Sequence, residues 1–171
     1  MEYFGKTGYN KSQNQNDIAK EEGTSLPADM KTATSRPGVE KATLQQMDKQ
    51  YAPWRKQLRK ALGWKGQIFG IFIPESLDEL TEESEILHNC AESLKQAVVQ
   101  RKKGVLFLRK LTLPDAPYYT VVVIKGSNGK YRVEQCRGFL DSDPITGIDK
   151  ILKQWATDTG KVDEDSIKSE Y

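Results

Sequence analysis

Three apolar segments that follow one another between residues 105 and 138 constrain the fold of this chain more than any other feature. Residues 105–109 and 118–124 are rich in the β-branched and aromatic side chains that favour strands. A Gly-Ser-Asn-Gly turn at 126–129 tolerates the positive φ of a tight hairpin, and residues 130–138 return from it. Because consecutive strands joined by short loops pair antiparallel, the sequence predicts an antiparallel meander.

An amphipathic helix is predicted ahead of these strands, at about residues 43–62. Its apolar side chains recur at three- and four-residue steps, which places them on one stripe. Pro53 interrupts the pattern and leaves two alternatives, a kink at that point or a second helix that begins there. The stripe consists of Met47, Tyr51, Trp54, Leu58 and Leu62.

One further strand and two further helices follow from similar patterns. Residues 67–73 form a short apolar run before Pro74, which predicts a strand. The main helix is predicted to start among the polar and acidic residues 76–84 and to run to about Arg101. A last amphipathic helix is predicted at about 145–156. The buried face of the main helix is expected to contain Leu87, Cys90 or Ala91, Leu94 and Val98.

The order of these elements predicts the α+β class, with a three- to four-stranded antiparallel meander and helices packed on one face. We predict a disordered tail at 1–42, a basic amphipathic helix at 43–66, an α+β domain at 67–158 and a polar C-terminal tail at 159–171. The prediction for 1–42 rests on polar, glycine and proline residues that lack apolar periodicity, and the prediction for 159–171 rests on its polar residues.

Composition limits the class of protein further. A net charge of +2 over 171 residues predicts neither a polyanion binder nor an acidic shell. The longest apolar run, at 121–124, is too short to cross a bilayer, and the N-terminus lacks a secretory signal, so a cytoplasmic location is expected. Two cysteines and the single His88 predict reduced thiols and no metal site. The absence of a glycine-rich phosphate loop predicts no nucleotide cofactor.

Five short motifs, in this order and at this spacing, resemble the PcfJ-like family of mobile genetic elements. They are Ile-Pro-Glu-Ser-Leu-Asp-Glu-Leu at 73–80, Leu-His-Asn-Cys at 87–90, Leu-Phe-Leu-Arg at 106–109, Pro-Tyr-Tyr-Thr at 117–120 and Gln-Cys-Arg-Gly at 135–138. A closing helix that contains Trp155 also fits. The resemblance covers about residues 68–156, roughly half of the chain.

The resemblance implies a protein of conjugative plasmids, integrative elements or phages, and it implies no particular reaction. This chain departs from the family pattern in two motifs. The family usually follows the cysteine with an apolar residue and then a tyrosine three residues further on, where this chain has Ala91 and Leu94. The family often has asparagine three residues after the Gln-x-x-Gly motif, where this chain has Asp141. If those polar groups serve chemistry, the chemistry of this chain is altered.

The basic face of the first helix is the clearest functional signal that is independent of the family. Arg55 and Arg59, like Lys56 and Lys60, stand one helical turn apart, opposite the apolar stripe. Like charges at this spacing repel by a few tenths of a kcal/mol per pair. A nucleic-acid backbone, an acidic protein surface or an anionic lipid surface would each offset the repulsion. The alternative is a basic face that simply points into water.

His88 and Cys90 suggest a thiol nucleophile with an imidazole partner. On a continuous helix, however, residues two apart point about 200° away from each other. We therefore predict that Cys90 is buried and that His88 is a structural residue at the edge of the core. The dyad becomes feasible if the helix breaks near Asn89.

Gln135 and Arg137 alternate along one strand and therefore share a face of the sheet, with Arg109 on a neighbouring strand. If these side chains converge with His88, they form a cluster that can bind an anion, because arginine offers a planar pair of donors. The alternative is an exposed strand face with solvated charges.

Two main functional hypotheses result. The preferred one is an accessory protein of a mobile element or phage that binds nucleic acid or a nucleoprotein partner through Arg55, Lys56, Arg59 and Lys60, with Arg109, Gln135 and Arg137 as a second contact. The alternative is a small hydrolase or group-transfer enzyme for a phosphorylated or nucleotide-like substrate, with candidate catalytic residues His88, Cys90, Gln135 and Arg137. A scaffold whose tail recruits a partner is a third possibility.

Overall fold

A computed structural model describes residues 37–168, with side chains from residue 42 onwards. Contacts divide the chain into Met1–Thr34 and Ser35–Tyr171, and every element below belongs to the second unit. The predicted tail at 1–42 therefore lies largely outside the described residues. The elements are α1 (Pro37–Leu62), β1 (Trp64–Lys65), β2 (Phe69–Phe72), α2 (Asp78–Leu87), α3 (Lys95–Val99), β3 (Gly104–Lys110), β4 (Tyr119–Lys125), β5 (Tyr131–Arg137) and α4 (Ile148–Thr159).

The strands form one antiparallel sheet in chain order, β1-β2-β3-β4-β5. The predicted α+β class and antiparallel meander are confirmed, but the sheet has five strands where three to four were predicted. The additional strand, β1, contains only Trp64 and Lys65. Two residues are too few to show a period-2 pattern, so the sequence could not reveal it.

Helices contact both faces of the sheet, where the sequence predicted one. A Cβ atom on Gly104 would lie 3.1 Å from a Leu58 methyl of α1, so α1 covers the face of β3 that carries Gly104. Arg109 lies on the opposite face, because it is five residues further along the strand. There it bonds Glu83 of α2. Helices thus lie on both faces of the central sheet.

One continuous helix, α1, spans Pro53 and starts earlier than predicted. Tyr51 and Trp54 are buried on either side of the proline, which anchors both halves of the helix to the same core. The predicted apolar stripe is confirmed at Tyr51, Trp54, Leu58 and Leu62, all of them buried, while Met47 is partly buried. None of the helices described in residues 37–168 is long and apolar enough to cross a membrane.

The predicted main helix is not continuous. α2 ends at Leu87, and His88 adopts the left-handed conformation with φ 49°. A short 3-10 helix, Ala91–Leu94, then leads into α3. The buried side of this segment contains Leu87, Ala91 and Val98, so of the two alternatives Cys90 and Ala91 the second is correct.

The C-terminal segment packs against the sheet at least as far as residue 168. Val162 forms a parallel bridge with Tyr131 at the outer edge of β5. Val162 and Ile167 are both buried in the core. The predicted polar tail at 159–171 therefore does not hold for residues 159–168, because two apolar residues spaced among charged ones are enough to dock the segment.

Replacement of Leu58 by alanine tests the packing of α1 on the sheet. Leu58 is fully buried, with 0% of its side chain exposed. We expect Leu58→Ala to lower the free energy of unfolding by about 2–5 kcal/mol, because it removes buried methyl groups and leaves a cavity. Urea denaturation followed by circular dichroism measures the change. The exposed Gln57→Ala variant is the control and should stay within about 0.5 kcal/mol; equal effects would contradict this packing.

Candidate functional site

Three lysines form a straight row on the outer face of α1. Lys49, Lys56 and Lys60 fall within about 40° of one another around the helix, given 3.6 residues per turn. Eleven residues at 1.5 Å each make the row roughly 16 Å long. Each lysine is followed two residues later by a buried residue, Tyr51, Leu58 or Leu62. This lysine row therefore points directly away from the core.

No acidic side chain in the described part of the chain pairs with the amines of the lysine row. All three lysines are exposed. Among the residues that the structure describes, no carboxylate forms an ion pair with any of the three amines. The basic face predicted from the sequence contained Lys56 and Lys60 but not Lys49, although Lys49 precedes Lys56 by seven residues, a spacing that places both on one side of a helix. The row is therefore a line of three positive charges that no described carboxylate neutralises, on a chain whose net charge is only +2.

The two arginines of the same helix have a different environment. Arg55 donates to the backbone carbonyl of Glu75, and Arg59 forms an ion pair with the Glu75 carboxylate. Glu75 lies in the loop between β2 and α2, so these contacts tie α1 to that loop. The carboxylate also offsets the repulsion between the two guanidinium groups. Arg55 and Arg59 are thus partly engaged within the protein, whereas Lys56 and Lys60 form no ion pair with any residue that the structure describes.

Arg109 is not available as a surface contact. Only 6% of it is exposed, and its guanidinium bonds both carboxylate oxygens of Glu83, one of them at 3.0 Å. It also lies over the Phe107 ring, 4.4 Å from the centroid. The expected role of Arg109 as part of a second binding contact therefore finds no support. In the sequence, the acidic residues of α2 are accounted for by their place near the start of a helix. That explanation gave no sign that one of them, Glu83, is buried.

Hydrogen bonds extend from Glu83 to the break after α2. The Thr120 hydroxyl donates to Glu83 Oε1 at 3.0 Å, and Asn89 Nδ2 donates to Thr120 Oγ1 at 3.0 Å. Asn89 Oδ1 in turn accepts from the backbone N–H of Ala91 at 3.0 Å. Asn89 is therefore held by the sheet on one side and starts the 3-10 turn on the other. This buried chain of contacts fixes where the helix stops.

The break exposes Cys90, so the prediction that it is buried is wrong. Cys90 is exposed, whereas Cys136 on β5 is fully buried. The left-handed turn at His88 rotates the following residues off the stripe that a continuous helix would have given them. Burial raises the pKa of the Cys136 thiol to about 12. Only one of the two thiols is thus accessible.

A shallow cleft beside the break contains Gln135 and Arg137, two of the four residues of the predicted polar cluster, but not Arg109 or His88. Its lining includes Cys90, Gln135, Arg137 and Asp141. Gln135 and Arg137 pair with Val122 and Thr120, which confirms that they share a face of the sheet. Arg137 forms an ion pair with Asp143. The cleft nevertheless encloses only about 10 Å³, about the space that one water molecule needs.

His88 lies beside this cleft but does not line it. Its ring contacts the edge of the Phe139 ring, with 5.4 Å between centroids. Phe139 begins a short 3-10 turn in which Leu140 and Asp141 both have positive φ. Three of the four non-glycine residues with positive φ in the described part of the chain, His88, Leu140 and Asp141, thus border one region. Backbone of this kind costs about 1–3 kcal/mol per residue and concentrates at functional sites.

Fold and site together define an antiparallel α+β protein with an exposed lysine row on one helix and a strained polar cleft at a helix break. A family model described as PcfJ-like protein matches residues 13–151. This match covers most of the 171 residues, so the chain belongs to the PcfJ-like family. It confirms the resemblance carried by the five motifs and extends it back through α1. No curated protein and no solved structure matches the chain significantly.

Thiol labelling tests the break after α2. We expect one thiol per chain to react rapidly with an aromatic disulfide reagent under native conditions, because Cys90 is exposed and Cys136 is buried. Cys90→Ser should abolish the rapid reaction, and Cys136→Ser should leave it unchanged. The absorbance of the aromatic thiolate released from the reagent measures the rate. Equal reaction of both thiols, or none, would show that the segment after Leu87 is arranged differently.

Loss of the Glu83 carboxylate should destabilise the protein strongly. Glu83→Ala leaves the Arg109 guanidinium buried and unpaired, which typically costs about 3–5 kcal/mol. The double variant Glu83→Leu with Arg109→Met replaces the pair by apolar groups and should recover much of that loss. Urea unfolding of both variants measures the free energies. The exposed Glu82→Ala is the matched control, and a similar small effect for Glu82 and Glu83 would contradict the buried pair.

Proposed function

We propose that this protein binds nucleic acid through the lysine row on α1. The observation that carries the proposal is the geometry of Lys49, Lys56 and Lys60, three exposed amines without a carboxylate partner among the described residues, aligned opposite the buried stripe. A folded helix surface of unpaired like charges is repulsive on its own. A linear polyanion relieves that repulsion along the full length of the row.

Nucleic-acid backbone suits the row because its charge is also linear. Duplex DNA carries one negative charge for about every 1.7 Å of its axis, so the roughly 16 Å of the row faces several phosphates at once. Each phosphate that a lysine neutralises releases condensed counterions, which drives binding and makes it depend on salt. Arg55 and Arg59 flank the row and hold α1 against the Glu75 loop, so the lysines are presented on a fixed helix.

The polar cleft at the helix break gives less support to an enzyme. Clefts that bind small substrates usually enclose about 300–1,000 Å³. The cleft lined by Cys90, Gln135 and Arg137 encloses about 10 Å³, and the Arg137 guanidinium is already paired with Asp143. A binding protein needs no such cavity. The balance of these two observations favours binding over hydrolysis or group transfer.

Membership of the PcfJ-like family suggests the biological setting. The family resemblance implies mobile genetic elements, and we propose that this chain acts on the nucleic acid, or on a nucleoprotein complex, of a conjugative element or phage in the cytoplasm. The lysine row supplies contacts that are independent of base sequence, because lysines contact phosphate and not base edges. Such a module holds or positions nucleic acid without selecting a particular site.

Charge removal along the row tests the proposal. We expect Lys49→Ala/Lys56→Ala/Lys60→Ala to weaken binding to a nucleic acid of mixed sequence roughly tenfold or more at low salt. It should also make the slope of log K against log salt shallower by about 2–3, since each phosphate contact contributes about 0.7–0.9. Fluorescence anisotropy over a salt series measures both quantities.

A matched triple variant controls for net charge. Lys125, Lys130 and Lys161 are also exposed and cluster near the β4–β5 hairpin and the end of α4. Their replacement by alanine changes the net charge equally and should leave the salt slope close to that of the unmodified protein. Equal losses in the two variants would mean that binding follows total charge alone. An unchanged affinity in the α1 variant would reject the lysine row as the contact.

A further inference from the structure

A second concave surface lies just beyond the C-terminal end of α1, between the β1–β2 hairpin and α4. We call it the Trp64 cleft. It encloses about 540 Å³, within the range of ligand pockets. The hairpin contributes Trp64, Ile68 and Phe69, and α4 contributes Ile151, Gln154 and Asp158. Ile68 is 61% exposed, an unusual degree for an isoleucine beside two aromatic rings. The walls are thus mainly aromatic and aliphatic.

The Trp64 indole is held in one orientation. Its Nε1–H donates to Asp158 Oδ2 at 2.8 Å. The ring also lies directly over Gly66, because a Cβ atom at that position would come within 2.6 Å of the indole. Any side chain larger than hydrogen at residue 66 would displace the ring. A flat ligand that stacks on Trp64 therefore meets a surface that is already ordered, which lowers the entropic cost of binding.

The carboxylate of Asp158 disfavours an anion in the part of the cleft next to Trp64. Asp158 accepts from Trp64 through one oxygen and from Gln154 Nε2 through the other, at 2.7 Å. This carboxylate would repel a phosphate within the cleft. It does not repel a neutral aromatic ring. The part of the cleft next to Trp64 is therefore matched to an uncharged flat group, and Gln67, Gln154 and Lys150 also line the cleft and can bond polar edges.

The Trp64 cleft is close to the lysine row. Lys60 precedes Trp64 by four residues, and α1 ends between them at Leu62, so their Cα atoms are at most about 13 Å apart. Lys150 adds a further amine at the cleft. It forms no ion pair with any described residue. A single ligand that carries both phosphates and a neutral ring can therefore contact the lysine row and the Trp64 cleft together.

We infer that the Trp64 cleft receives a base of single-stranded nucleic acid whose backbone follows the lysine row. This inference rests on the proposed function and narrows its substrate class to single strands. Bases of a duplex are stacked inside it and cannot reach a side-chain pocket, whereas an unpaired base stacks readily on an aromatic ring. Trp64 is the stacking surface, and Phe69, Ile68 and Ile151 complete the apolar walls.

Tryptophan fluorescence of the whole chain provides a selective probe. Of the three tryptophans, Trp54 is 5% exposed and Trp155 is 0% exposed, while Trp64 is partly exposed. We expect a short oligothymidylate to quench the Trp64 emission to saturation. An abasic oligonucleotide of the same length, which keeps the phosphates and sugars, should not quench it. The abasic strand should also bind roughly 5- to 150-fold more weakly, the loss expected for one stacked base.

Two variants separate the base from the phosphates. Trp64→Leu keeps an apolar wall and should remove the quench and the preference for oligothymidylate, while affinity for the abasic strand stays unchanged. The lysine triple variant should weaken both strands alike. If Trp64→Leu proves unfolded, the comparison of the two oligonucleotides on the unmodified protein still decides the question.

Several outcomes would overturn the inference and leave the lysine row intact. These are equal affinity for the oligothymidylate and the abasic strand, no change in Trp64 emission at saturation, or tighter binding to duplex than to single strand. A change in Trp64 emission with the protein's own concentration, in the absence of nucleic acid, would assign the cleft to a second copy of the chain. Failure of every nucleic acid to bind would instead reject the proposed function itself.

Discussion

The packing of α1 against the sheet is the constraint on which the remaining structure depends. Tyr51 donates to the carbonyl of Pro74 at 3.2 Å, Trp54 to that of Lys103 at 3.3 Å, and Trp155 of α4 to that of Leu62 at 2.8 Å. These bonds, together with Leu58, fix the rotation of the helix about its axis as well as its position. A helix locked in rotation presents one defined outer line, so the same contacts that form the core determine that the lysines face outwards.

A buried ion pair organises the opposite face of the sheet. Glu83 and Arg109 are both withdrawn from water, and desolvation of two charges is tolerated only when good geometry and further hydrogen bonds accompany it. The Thr120 hydroxyl donates such a bond to Glu83, and the Asn89 side chain in turn donates to the Thr120 hydroxyl. The chain therefore leaves helical geometry at a point set by the sheet. This end point is not set by local helix propensity. The exposure of Cys90 is a consequence of the helix ending there.

Elements with a strong period were predictable, and those decided by a single tertiary contact were not. The stripe of α1 and the alternation of Gln135 and Arg137 follow from repeating patterns, so the sequence was sufficient for them. The break after Leu87 occurs within an apparently continuous helical pattern, because Asn89 bonds Thr120 from a strand more than 30 residues away in sequence. Likewise, the charged Arg109 and Glu83 read as surface residues, since only their pairing makes burial tolerable. The lysine row is recognised only from two observations together, the spacing of the lysines in the sequence and the lack of ion pairs to their amines among the described residues.

The segment that follows α4 has a further consequence for how the sheet terminates. Its backbone bonds Tyr131 in both directions, at 2.8 Å and 2.7 Å, and the Ser166 hydroxyl accepts from the Val133 amide at 2.9 Å. The outer side of β5 is thereby occupied at Tyr131 and Val133, while the other border of the sheet is a strand of only two residues. Unpaired strand borders are templates on which chains join edge to edge and aggregate. Residues 161–166 thus satisfy backbone groups on this border that would otherwise be open to another strand.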